Sequence, residues 1–130
     1  MKKTEYDFEL LFRALADRTR LRVINLVGDE EVCVCFLVEV LKTSQPKVSR
    51  HLDYLRRAGL VSSRREGKWM NYRLCNPGDA DAARIFRDVR DWLARNSEMN
   101  NDRIRLEKLC GASHVSAQLQ RAPRPVSLGA

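Results

Sequence analysis

The stretch from residue 36 to residue 74 leaves this chain few folds to choose from. Phe36 to Lys42 reads as a short helix, and Thr43-Ser44-Gln45-Pro46 as a turn that starts another. Ser44 can cap the new helix, and Pro46 falls in its first turn, where a missing N–H costs nothing. Val48, Leu52 and Leu55 make its buried side, and Gly59 closes it as a C-cap. Two strand-like runs follow, Leu60 to Arg64 and Trp69 to Leu74, with the polar turn Arg65-Glu66-Gly67-Lys68 between them. Two short helices across a tight turn, then a hairpin with a basic tip, describe a winged helix-turn-helix.

The rest of the chain adds helices to this unit. Phe8, Leu11, Phe12 and Leu15 stand at i, i+3, i+4 and i+7, one face of a first helix. Asp17 caps a second, whose stripe is Leu21, Ile24 and Val27 and which ends at Gly28-Asp29-Glu30-Glu31. A short stretch, Val32 to Val34, leads into the third. Asn76-Pro77-Gly78 breaks the chain after the hairpin, and Asp79 or Asp81 caps a fifth helix with Ala82, Ile85, Phe86, Val89, Trp92 and Leu93 on its stripe. Asn100-Asn101 interrupts that helix before Ile104, Leu106 and Leu109 resume an apolar pattern. The expected class is therefore mainly α with a small β-hairpin. One domain spans residues 1–110, and the Ser-, Gln-, Pro- and Ala-rich residues 111–130 are expected to form a disordered tail.

Charge points to the partner. A formal net charge of +7 and a pI near 9.6 favour a polyanion, nucleic acid or an anionic membrane surface. On the recognition-helix candidate, Lys47, Arg50, Tyr54 and Arg57 fall outward, with Ser44, Gln45 and Ser49 at the end that enters the major groove first. Glutamine can bond adenine bidentately, and Lys and Arg can read guanine or hold phosphate. Arg64, Arg65 and Lys68 on the hairpin suit phosphates or the minor groove. His51 lies near the edge of the buried face and reads as a packing residue. Enzyme signatures are missing: the chain has no phosphate-cradling glycine loop, no HExxH, no GxSxG, and two histidines, His51 and His114. The protein is expected not to be an enzyme. Met1 to Asp7 lacks the apolar run of a signal peptide, and no segment approaches the ~20 apolar residues of a membrane span. A cytoplasmic protein with no membrane partner is expected, its four cysteines (Cys33, Cys35, Cys75, Cys110) kept as thiols.

Five motifs in this order resemble the ArsR/SmtB family of winged-helix repressors: Leu15-Ala16-Asp17-Arg18-Thr19-Arg20-Leu21, Cys33-Val34-Cys35, Ser44-Gln45-Pro46-Lys47-Val48-Ser49-Arg50-His51-Leu52, Leu55-Arg56-Arg57-Ala58-Gly59-Leu60-Val61 and Gly67-Lys68-Trp69-Met70-Asn71-Tyr72. The resemblance runs from about Phe8 to Leu93. It implies a homodimer built from the first and fifth helices, bound to double-stranded operator DNA with an inverted repeat. The amphipathic fifth helix fits that independently, since its apolar face needs cover.

The resemblance also frames the cysteines. The family's zinc-responsive pattern uses carboxylates and histidines on the fifth helix, and no histidine occurs between Asp79 and Asn96. Glu31-Val32-Cys33-Val34-Cys35 looks instead like the arsenic-responsive version, which implies that As(III), or Sb(III), acts as inducer. Both are thiophilic, so thiolates are the expected ligands. The pattern often has a third cysteine three residues after the second; Val38 stands there, and Cys110 is the candidate replacement, from the same or the other subunit. Cys75 reads as structural. Residues two apart on a regular helix point ~200° from each other. Chelation by Cys33 and Cys35 is therefore expected in an extended or unwound segment, where closure would pull on the start of the third helix and re-aim the recognition helix. Rival readings are a trivalent methylated arsenical as inducer, a thiol–disulfide redox sensor, a small thiol-redox enzyme, and a metal carrier with no DNA role.

Overall fold

The computed structural model describes residues 5–111, 119 and 121–125. Among the described residues six helices and one small sheet follow in the order α1 (Phe8–Leu15), α2 (Arg18–Val27), β1 (Val32–Cys33), α3 (Val34–Leu41), α4 (Gln45–Arg57), β2 (Val61–Glu66), β3 (Trp69–Leu74), α5 (Ala80–Ala94) and α6 (Ser97–Gly111). Side chains fix most helix starts. Asp7, Asp17 and Asp79 each accept a backbone N–H three residues on, at 3.0 Å, and Ser44 accepts that of Lys47 at 3.4 Å. α2 lies at the centre, packed by α1, α3, α4, α5 and α6. Its Val23, Ile24, Leu26 and Val27 share one core with Phe36 and Leu37 of α3, Val48, Leu52 and Leu55 of α4, and Phe86 of α5. This is a winged helix-turn-helix. No helix among the described residues is long and apolar enough to cross a membrane.

The wing differs from a simple hairpin. β1 pairs antiparallel with β3, giving the strand order β1-β3-β2. Two residues are too few to show a strand period, so the sequence marks Val32–Val34 only as a connector. β2 also runs to Glu66, opposite Trp69, which leaves Gly67-Lys68 as a two-residue turn and places Arg65 in the strand. Gly67, at φ +59°, supplies the left-handed backbone that such a turn requires.

The C-terminal region departs most from expectation. α5 ends at Ala94, and Asn96 accepts the Met99 N–H at 3.1 Å to start a separate helix. Asn100 and Asn101 lie inside α6 and do not interrupt it. The buried face of α6 is Met99, Asp102, Leu106 and Cys110, so a carboxylate in the apolar stripe hides its period from a hydrophobicity pattern. That carboxylate, 0% exposed, takes both arms of Arg22 at 2.7 and 3.0 Å and is also bonded by Arg105. Asn25 donates to Met99 O and Arg103 to Leu26 O, completing the clamp of α6 on α2. Beyond α6, Leu119 and Ala122 are buried against the core. Residues 112–118, 120 and 126–130 of the expected tail lie outside the described residues.

Candidate nucleic-acid interface and cysteine site

α4 presents a polar N-terminal edge. Ser44, Gln45, Pro46, Lys47 and Arg50 are exposed, Ser49 is half-buried, and Val48, Leu52 and Leu55 face the core, as the wheel requires. Arg50 reaches no acidic partner among the described residues, its Nε donating to Pro46 O at 3.4 Å. Tyr54 is half-buried, with the Arg20 guanidinium 4.2 Å and that of Arg57 5.1 Å from its ring centroid. Arg20 also donates to the Ala14 and Arg13 carbonyls at 2.9 and 2.8 Å and lies 3.3 Å from His51 Nδ1. It thereby braces α4 against the end of α1. His51 packs at the edge of the core, as expected.

On the wing, Arg65 and Lys68 are exposed, and neither makes an ion pair among the described residues. Lys68 Nζ stands 4.9 Å above the Trp69 ring. Arg64 is committed elsewhere. Its Nε and Nη2 donate to Glu31 at 2.8–3.0 Å and Nη2 also donates to Glu66 at 2.9 Å. These bonds hold the Glu31 carboxyl below the usual range and raise the guanidinium of Arg64 further.

Cys33 and Cys35 meet at the junction of wing and helix-turn-helix. Cys33 ends β1 with φ −67° and ψ 139°, and Cys35 sits in the first turn of α3. One extended and one helical residue bring the sulfurs to 2.8 Å, the Cys35 thiol donating to Cys33. The expected unwinding is therefore not needed to bring the sulfurs together, because the helix begins between the two cysteines. The bond from Cys35 lowers the Cys33 thiol. Its counterpart, together with burial, raises Cys35. Cys110 is buried on α6, and burial pushes its thiol up to about 11. Among the described residues no three Cys, His, Asp or Glu gather to hold a metal ion. Cys75 is half-buried, its thiol donating to Gly59 O at 3.3 Å.

A third surface lies away from both sites. Phe8, Phe12 and Trp92, on α1 and α5, are 63%, 52% and 70% exposed. Phe12 of α1, Leu21 of α2, and Trp92 and Leu93 of α5 line an open cleft of about 530 Å³.

Three features at these sites escape the sequence reading: the Glu31–Arg64 tie, the Arg20 brace and the burial of Asn71 beside Cys33. Each of these residues stands within or beside a quoted motif, but the residue it faces on another element is 31 to 38 positions away. Only the strand register and helix packing reveal the role.

A family model described as bacterial regulatory protein, arsR family, matches residues 17–63. The arsenical resistance operon repressor of Escherichia coli is 50% identical over 77 residues, 58% of this chain and 66% of that protein. An arsenic resistance transcriptional regulator of Pseudomonas putida is 52% identical over 66 residues, 50% of this chain and 52% of that one. The chain thus spans between half and two thirds of these two relatives. An uncharacterised HTH-type transcriptional regulator of Methanocaldococcus jannaschii is 41% identical over 55% of this chain and 81% of its own length. Among solved structures, HlyU of Vibrio cholerae has a TM-score of 0.57 at 29% identity, covering 71% of this chain and 97% of that one. A homodimeric winged helix-turn-helix domain of Mycobacterium bovis has a TM-score of 0.54 at 28% identity, covering 69% and 84%.

Proposed function

This chain belongs to the arsR family of bacterial regulatory proteins, and from that premise we propose that it is a homodimeric transcriptional repressor released from its operator when trivalent arsenic binds Cys33 and Cys35. The observation that carries the reading is the 2.8 Å approach of the two sulfurs at the start of α3. A thiophilic, trivalent centre needs thiolates that converge, and the lowered Cys33 thiol supplies the first of them. The arsenical resistance functions named for two relatives support the choice of As(III), with Sb(III) as its chemical neighbour.

DNA is held by two elements. The N-terminal edge of α4 (Ser44, Gln45, Lys47, Ser49, Arg50) enters the major groove, and Arg65 and Lys68 of the wing lie along phosphates or in the minor groove. Arg64 and Tyr54 support these elements from beneath, one through Glu31 and the other through Arg20. The exposed faces of α1 and α5 cover each other across a two-fold axis, setting two α4 helices about one DNA turn apart, ~34 Å. Release follows from the position of the cysteines: β1 is a strand of the wing sheet, and Cys33 is the N-cap of α3, which packs on α4. Closing both sulfurs on one atom reorients that junction. A coupling of about 1–3 kcal/mol would reduce operator affinity roughly 5- to 150-fold.

The same sulfur proximity favours one second reading, a reversible Cys33–Cys35 disulfide that senses oxidants. Fluorescence anisotropy of the reduced protein on the DNA upstream of its own gene separates the two. Arsenite, zinc and hydrogen peroxide are added separately. Release by arsenite with zinc inert supports the metalloid reading; release by peroxide alone replaces it with the redox one.

A further inference from the structure

Asn71, at the centre of β3, is 1% exposed, and neither its side-chain oxygen nor its nitrogen has a hydrogen-bond partner among the described residues. A carboxamide is costly to bury unpaired, and such a group in a folded protein calls for an explanation. The register supplies one. Asn71 stands directly opposite Cys33 on one side and Arg64 on the other. Opposed residues of antiparallel strands carry their side chains on one face, with Cβ atoms about 4.5–5.5 Å apart. The orphan carboxamide therefore shares a face with the Cys33 side chain, whose sulfur meets that of Cys35.

Trivalent arsenic takes three ligands, and this chain gathers two thiols with no third Cys, His, Asp or Glu beside them among the described residues. We propose that Asn71 is the third residue of the inducer site, its carboxamide hydrogen-bonding the hydroxyl that a two-thiolate arsenic retains. This rests on the reading of Cys33 and Cys35 as metalloid ligands. Arsenous acid exchanges two of its three hydroxyls for the two sulfurs. Each departing hydroxide leaves with one thiol proton as water, and arsenic stays trivalent with one As–OH bond. The amide N–H then donates to the hydroxyl oxygen, and the amide oxygen accepts the hydroxyl proton. Both unpaired atoms are satisfied in one step. A methylated arsenical bound by the same two sulfurs has a methyl group in that position and offers the carboxamide nothing. Asn71 thus sets a preference for arsenite.

The test uses the full, reduced chain and its Asn71→Leu variant, which keeps the side-chain volume. Each is titrated separately with arsenite and with trivalent methylarsenous acid, following the ultraviolet absorbance of the arsenic–thiolate bonds. The variant should bind arsenite about tenfold more weakly while its affinity for the methylated form stays within about twofold, a loss of the size one hydrogen bond gives. The retained affinity for the methylated form also shows that the variant folds. Equal loss for both arsenicals, or no loss for either, overturns the role of Asn71. Failure of the unsubstituted chain to bind either one overturns the cysteine reading beneath it.

Discussion

Single side chains divide the wing's positive charge into two kinds. Arg65 near the end of β2 and Lys68 in the turn are exposed without an ion pair among the described residues, whereas Arg64 commits its guanidinium to Glu31 and Glu66. Sequence ranks the three alike, because only the sheet register brings Glu31 across to Arg64. In binding to operator DNA, Lys68→Ala or Arg65→Ala should lower the slope of log affinity against log salt by roughly 0.9 per lost phosphate contact. Arg64→Ala should change that slope less. A slope loss for Arg64→Ala as large as for Lys68→Ala would show that DNA pulls Arg64 off its carboxylates. What was legible at this scale follows the same division. Caps at Asp17, Ser44 and Asp79 act on their own helices and could be read from local spacing. Glu31 and Arg20 act on partners far along the chain, and Asn71 is placed beside Cys33 only by the strand register, so these could not.

Among the elements, α6 is the one whose place the sequence hid, and it is held by polar rather than apolar means. Burial by itself raises the Asp102 carboxyl, but the bonds from Arg22 and Arg105 outweigh it and hold the group below its ordinary 3.8. A carboxyl lowered on folding contributes stability that is fully present above 3.8 and is lost as pH falls through the folded value. Asp102→Ala, which strands Arg22 against α6, should cost about 3 kcal/mol in chemical denaturation at pH 7. It should also flatten the loss of stability as pH falls below about 3.8. An unchanged acid limb would mean that the clamp does not control docking of α6. The winged unit, by contrast, was readable from turn chemistry, because Ser44-Gln45-Pro46 and Gly67 each punctuate the chain where an element must end. β1 escaped, two residues being too short for a pattern, yet that strand links the cysteines to the wing.

At the scale of the whole molecule, Phe8, Phe12 and Trp92 stand exposed and uncovered among the described residues. A contiguous apolar face of this kind is unusual on a monomer. Trp92→Glu should shift the protein from dimer to monomer at micromolar concentration in sedimentation velocity, with operator affinity falling at least tenfold because two half-sites are no longer bound together. A Trp92→Glu protein that remains dimeric and binds DNA normally would place the interface elsewhere. In the proposed reading, dimerisation and induction would occupy separate elements, α1 and α5 for the first and the β1–α3 junction for the second.

The central claim is that metalloid binding at that junction, and not elsewhere, opens the repressor–DNA complex. It is tested most directly by anisotropy of the reduced protein on its operator, comparing the unsubstituted chain with Cys33→Ser and Cys35→Ser during arsenite addition. All three should bind DNA within about threefold of one another, and the unsubstituted chain should release with a 5- to 150-fold loss of affinity. Both Ser variants should stay bound. Release of either Ser variant at the same arsenite concentration would contradict the account and move the inducer site away from Cys33 and Cys35.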